Sequence, residues 1–123
     1  MLGRNLIQAA AGNVSAAGWD LSNATFGGES NTFAPSANKI TGQLFLKDDG
    51  TKMFGIDSTN DSVAEYDLSV GWAAGSASYS QSFDLSTQST SPQGLFFKSD
   101  GLTFYITDFG NYSIFQYLSL IHI

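Results

Sequence analysis

GQLFLKDDGTKMFGIDSTNDSVAEYDLS, residues 42–69, returns as QGLFFKSDGLTFYITDFGNYSIFQYLS, residues 93–119. Gly50 falls on Gly101, 51 positions later, and no gap is needed from Leu44 to Tyr66. Leu44, Phe45, Lys47, Asp49, Gly50, Asp57, Asn60, Ser62 and Tyr66 are matched identically by Leu95, Phe96, Lys98, Asp100, Gly101, Asp108, Asn111, Ser113 and Tyr117. Chance supplies about one or two identities over such a stretch, so the chain carries an internal duplication. A period of about 50 residues built from short strand patterns points to a radial array of small sheets, in which each unit needs neighbours to bury its faces.

Outward from this block, the chain reads as short strands separated by Gly, Asn, Asp and Ser turns. The pattern predicts strands at Ala24–Phe26, Thr32–Ala34, Gln43–Lys47, Lys52–Asp57, Ser62–Asp67, Tyr79–Leu85, Gly94–Lys98, Leu102–Asp108 and Ser113–Leu118. Leu95-Phe96-Phe97 and Phe104-Tyr105-Ile106 are apolar at consecutive positions, which predicts cover on both faces of those strands. Asp49-Gly50 and Asp100-Gly101 fall between strand runs, where glycine reaches positive φ without a Cβ clash, as a tight hairpin requires. Asn60 and Asn111 recur in the next loop, where a short amide tolerates the left-handed region and bonds local backbone. Upstream, Gly18-Trp19 and Ala24-Thr25-Phe26 match Gly71-Trp72 and Ala77-Ser78-Tyr79 at a slightly longer offset. The chain is therefore expected to hold one whole unit, from about Gln43 to Leu85, and parts of two others.

Residues 1–18 are rich in Ala, Gly, Ser and Asn and read as a flexible or short helical leader, with a helix over Leu2–Ala11 the structured alternative. Their apolar run is broken at Gln8 and is too short for a secretory signal. No run approaches transmembrane length. The last six residues, Leu118-Ser119-Leu120-Ile121-His122-Ile123, are the translation of the sequencing-adapter string CTG TCT CTT ATA CAC ATC. Residues 118–123 are therefore expected to be an adapter-derived tail on a truncated environmental read, the alternative being an authentic apolar strand.

With 123 residues the chain spans only about two units of the repeat, too few to close a ring. Eleven acidic against five basic residues give a net charge of −6, which opposes phosphate backbones and anionic lipid, so nucleic acid is not an expected partner. Cysteine is absent, which removes disulfides and thiolate metal sites.

Leu95-Phe96-Phe97-Lys98-Ser99-Asp100-Gly101, Phe104-Tyr105-Ile106-Thr107 and Ile114-Phe115-Gln116-Tyr117 together resemble a blade of the lactonase-type, or YVTN-like, β-propeller repeats. In those repeats a Pro-Gly start, an Asp-Gly turn and a following Tyr-Val strand recur. The first copy departs from the pattern, with Thr41-Gly42-Gln43 where the second has Pro92-Gln93-Gly94. The resemblance spans Gly18 to Tyr117. Trp19-Asp20-Leu21-Ser22 and Glu65-Tyr66-Asp67-Leu68-Ser69 resemble tandem propeller-like repeats of marine bacterial surface proteins and phage tail proteins. Asn5-Leu6-Ile7-Gln8-Ala9-Ala10-Ala11-Gly12 is similar to short phage virion N-termini.

Chemistry-bearing constellations are sparse. The one histidine, His122, lies in the terminal hexapeptide, and without cysteine no Ser-His-Asp or Cys-His arrangement can be assembled. Asp48 with Asp49, and Asp57 with Asp61, are the available carboxylate pairs, but they stand in predicted turns where Asp serves the backbone. Asp57-Ser58-Thr59-Asn60-Asp61 clusters oxygen ligands suited to calcium. It lacks the glycine and distal glutamate of the helical calcium loop, and its counterpart Asp108-Phe109-Gly110-Asn111-Tyr112 loses a carboxylate, so a structural turn is the favoured reading. Trp19 and Trp72 are read as packing residues between units rather than sugar-stacking platforms. Asn13, Asn23, Asn60 and Asn111 begin Asn-x-Ser/Thr sequons, which an Asn- and Ser-rich chain produces by chance.

The expectation is an all-β, propeller-like repeat array, incomplete at about two blades, with 19–117 as the repeat region. No catalytic, cofactor-binding or metal-ligating residue is assigned. The expected function is a non-enzymatic binding or structural module on a virion or bacterial surface, with a protein or glycan partner and no membrane insertion. It would need further blades or self-association to cover its faces. The alternative is part of a lactonase-like propeller hydrolase whose catalytic residues lie on other blades.

Overall fold

The computed structural model describes residues 20–32 and 39–119. The predicted leader, Trp19, and the chain from residue 120 with His122 lie outside the described residues. Within them, seven strands run in order: β1 Leu44–Leu46, β2 Lys52–Asp57, β3 Ser62–Leu68, β4 Ala77–Asp84, β5 Pro92–Phe97, β6 Thr103–Asp108 and β7 Ser113–Leu118. They form two antiparallel meanders, a four-stranded sheet β1-β2-β3-β4 and a three-stranded sheet β5-β6-β7. A single 3-10 turn at Ala74–Ser76 leads into β4.

The duplication is reproduced bond by bond. In the first hairpin the Lys47 N–H donates to Lys52 O at 2.9 Å and the Gly50 N–H to Lys47 O at 2.8 Å; in the second, Lys98 to Thr103 O and Gly101 to Lys98 O repeat both distances. Gly50 and Gly101 have φ of 72° and 73°, the left-handed conformation the turn demands. Asp49 Oδ1 accepts the Thr51 N–H at 3.0 Å, and Asp100 Oδ1 accepts that of Leu102 at 2.9 Å.

The turns at the other end of each sheet are built on buried Asp57 and Asp108. Asp57 Oδ1 accepts the N–H groups of Thr59 and Asn60, while Oδ2 accepts Asn60 Nδ2 at 2.8 Å and the Lys39 N–H at 3.3 Å. Asp108 Oδ2 accepts the Asn111 N–H at 2.6 Å, and Oδ1 accepts from Ser89 Oγ and the Ser91 N–H. The left-handed residue of each turn is not the expected asparagine but the next one, Asp61 at φ 49° and Tyr112 at φ 53°. The asparagines instead close the turn against the aspartate, which fixes them in the preceding position.

Each sheet has two unlike faces. The front of the first sheet carries Phe45, Phe54, Ile56 and Val63, and packs against the back of the second, Leu95, Phe97, Phe104, Ile106 and Tyr117. Phe97 is central, with its ring centroid 4.4 Å from that of Phe54 and 5.1 Å from that of Phe104. The back of the first sheet buries Met53, Ala64, Tyr66 and Leu68, with Ile40 packed against them and Leu46 and Ala77 at their sides. At the inner edge Gln43 joins the sheets: its N–H donates to Gln93 O at 3.1 Å, and its Oε1 accepts the Leu95 N–H at 2.9 Å.

Two expectations are corrected. Ala24–Phe26 is not a strand; its segment is exposed, with no neighbouring strand to receive its backbone groups, whereas the matching Ala77–Tyr79 pairs along β3. The apolar run Leu95-Phe96-Phe97 is covered on one face only, because Leu95 and Phe97 point between the sheets while Phe96 is 61% exposed on the other side. Of the predicted strand Thr32–Ala34, Thr32 is irregular and the remainder lies outside the described residues. Leu118, which the sequence reading placed both at the end of the strand Ser113–Leu118 and at the start of the terminal tail, is the last residue of β7, and the Ser119 N–H closes on Leu102 O at 2.8 Å.

Candidate functional site

The two Asp-Gly hairpins lie at the same end of the molecule and flank a cleft of about 480 Å³ between the sheets. Phe45 and Phe54 from the first sheet and Phe97 from the second form its apolar floor; Lys47, Asp48, Lys52, Lys98 and Asp100 form its rim. Three of the chain's five basic residues thus gather at this end.

The rim charges are held in pairs. Lys47 Nζ stands 3.4 Å from Asp49, Lys98 Nζ 3.6 Å from Asp100, and Lys52 Nζ bridges Glu65 at 2.9 Å and Asp67 at 2.7 Å. Hydrogen bonds that the Lys52 ammonium donates to Asp67 and Glu65 raise it above its ordinary range. The Thr51 hydroxyl and N–H lower the Asp49 carboxyl, and the Leu102 N–H lowers that of Asp100. These shifts move the groups away from neutrality, the reverse of what a general acid or base requires, and suit fixed-charge binding.

Trp72 stands at the same end. It has φ 66°, a conformation that a bulky side chain adopts only when its surroundings enforce it, and its side chain is 61% exposed. Its indole lies on the Asp49-Gly50 hairpin so closely that a Cβ on Gly50 would fall 2.5 Å from Cγ and Cδ1, and the Trp72 backbone N–H donates to Gly50 O at 3.0 Å. The supporting loop is tied from several sides. Ser76 Oγ accepts the Val70 N–H at 3.1 Å and donates to Ala73 O at 2.7 Å. Glu29 Oε1 accepts the Gly75 N–H at 3.0 Å, and Asn31 Nδ2 donates to Ala77 O at 3.0 Å. One indole face is therefore seated and the other is presented to solvent. This differs from the expected place of Trp72 between units: it caps the hairpin of its own sheet.

The carboxylate pairs considered from the sequence do not act together. Asp49 is engaged by Thr51 and Lys47 while Asp48 lines the cleft. Asp57 is consumed by its own turn, and Asp61 contributes its carbonyl to the Leu85 N–H at 2.8 Å. Among the described residues no three His, Cys, Asp or Glu side chains converge in a way that would hold a metal ion. Nor is any described helix long and apolar enough to cross a membrane. The sequence reading made Trp72 a packing residue between units because its signal, a Gly-Trp step after a strand, does not tell a buried indole from a displayed one. The roles of Ser76, Glu29 and Asn31 leave no sequence signal. No protein-family model, curated protein or solved structure matches the chain.

Proposed function

We propose that the chain is a non-enzymatic repeat module, built from units of the lactonase-type β-propeller kind, that binds a glycan or protein on a virion or bacterial surface through its hairpin end. The observation that carries this reading is Trp72, seated on Gly50 in a left-handed backbone and exposed at the same hairpin end as a charged, phenyl-floored cleft. An immobilised aromatic face with ionic groups around it suits the apolar face and hydroxyls of a sugar ring. Support comes also from the duplicated residues. Lys47, Asp49, Gly50, Asp57 and Asn60 and their partners 51 positions on make turns and ion pairs, so the identity between units is architectural.

The test uses the Trp19→Phe chain, in which Trp72 is the remaining tryptophan, titrated with a panel of neutral and uronate hexasaccharides while its fluorescence is followed. At least one saccharide is expected to shift the emission, and calorimetry is expected to show that binding lost in Trp72→Ala and weakened in Lys98→Ala. Silence across the panel refutes the glycan arm. Lactone hydrolysis proportional to chain concentration refutes the non-enzymatic reading in favour of the hydrolase alternative.

A further inference from the structure

The fronts of the two sheets are equivalent in sequence and opposite in environment. Phe45, Phe54, Ile56 and Val63 correspond at the 51-residue period to Phe96, Tyr105, Thr107 and Ile114. Pairing puts the second set on one face: Phe96 opposite Tyr105, and Thr107 opposite Ile114. Val63 is 5% exposed under the second sheet, whereas Ile114 is 72% exposed. Leu118 at the end of β7 is exposed on the same face, and Phe96, itself 61% exposed, meets Phe45 in a T-shaped contact at 5.6 Å between ring centroids. The second sheet also differs in strand number. Among the described residues its β7 edge, which corresponds to the β3 edge that β4 covers, has no strand paired along it.

We infer that the Phe96–Tyr105–Ile114–Leu118 face and the free edge of β7 are the docking surface for one further repeat unit, which lays a fourth strand along β7 and seats its back face as the second sheet seats Leu95, Phe97, Phe104 and Ile106 on the first. This rests on the stacked-repeat reading above. The occupant's chemistry follows from the interface already formed: a front face of this pattern is covered by a back face carrying Leu and Phe at alternate positions. A second copy of this chain has no such face to offer. The back of its first sheet is already buried, with Ile40 packed against Met53, Ala64, Tyr66 and Leu68, and the back of its second is spent internally. Front-on-back contact is heterologous, so each unit seated leaves a new front for the next.

The absence of cysteine makes the test direct. Ile114→Cys and Val63→Cys variants are prepared in the 123-residue chain and in an extended chain in which residues 69–119 are repeated after Ser119. Thiol labelling of Ile114→Cys is expected to be fast and independent of protein concentration in the 123-residue chain. In the extended chain it is expected to slow at least tenfold and to recover when Phe96→Asp is added. Val63→Cys is expected to be protected in both. Equal labelling of Ile114→Cys in both chains, with Val63→Cys protected, overturns the docking inference and leaves the stacked-repeat reading standing. Fast labelling of Val63→Cys in the 123-residue chain overturns that reading itself. Protection of Ile114→Cys that grows with concentration in the 123-residue chain overturns the choice of occupant, because it identifies a second copy.

Discussion

The two hairpin glycines permit an internal comparison that few proteins offer. Gly50 and Gly101 have the same φ to within a degree and the same N–H hydrogen bond across the turn, but nothing lies within 4 Å of a Cβ added to Gly101, whereas one added to Gly50 falls 2.5–2.6 Å from three indole atoms of Trp72. Placing an L side chain in the left-handed region costs about 1–2 kcal/mol, which both Gly→Ala variants incur. A contact more than ~1 Å inside carbon–carbon packing distance adds about 1–3 kcal/mol, because the seated indole must shift. Gly101→Ala is therefore expected to cost about 1–2 kcal/mol and Gly50→Ala about 2–5 kcal/mol. Urea unfolding followed by far-UV circular dichroism measures both, and an unchanged m-value confirms that only stability has moved. In a Trp72→Ala background the Gly50→Ala cost is expected to fall to that of Gly101→Ala. Equal costs at the two turns in the parent chain, or a Gly50→Ala cost indifferent to Trp72→Ala, would falsify the placement of the indole on the hairpin.

Tyr112 holds φ 53° with its ring exposed, so Tyr112→Gly is expected to stabilise the chain by about 0.5–1 kcal/mol in the same assay, through relief of left-handed strain. Ile106, fully buried between the sheets, is expected to cost about 2–5 kcal/mol as Ile106→Ala, whereas the exposed Leu21→Ala is expected to leave the urea midpoint in place. Hydrogen bonds from Ser89, Asn111 and Ser91 lower the Asp108 carboxyl below its ordinary value. That stabilisation is complete above the unfolded-state pKa of about 4 and is lost as pH falls through the folded one. Unfolding followed from pH 6 to pH 2 is thus expected to show a loss below about pH 4 that is shallower in Asp108→Asn, and identical slopes would remove Asp108 from the account. The 123-residue chain is expected to melt broadly, because the Phe96 and Ile114 face is open to water; a sharp transition in calorimetry is the contrary result.

The parts of the fold legible in the sequence are those set by backbone chemistry. Asp-Gly steps, the repeated Asp57 and Asp108, and period-two runs located all seven strands to within two residues at each end. β4 was placed two residues late, because Ala77 and Ser78 carry no apolar signal and join the sheet only through pairing with Leu68 and Asp67. Ala24–Phe26 shows the converse: strand-like residues make no strand where no edge receives them. The burial of Phe96 was misjudged because three consecutive apolar residues look the same whether both faces are covered or one awaits cover. Local composition cannot report which neighbour is present. The cleft was not legible either, since its walls come from Lys47 and Phe54 in one unit and Phe97 and Lys98 in the next, residues whose approach depends on how the sheets stack.

That division of the cleft ties binding to assembly. A unit standing alone has a hairpin end and an aromatic front but no opposing wall; the about 480 Å³ cleft exists only where a front meets the following back. Each further interface would therefore bury a face such as Phe96–Ile114 and at the same step set a new pair of Asp-Gly hairpins around a new cleft, all on one rim because successive units point the same way. Sites spaced along a rim engage a repeating ligand with an effective concentration set by their separation, which multiplies weak individual contacts. The same front-on-back polarity that leaves the second sheet uncovered would thus also be what builds a multivalent surface, and stability and avidity would rise together with the number of units.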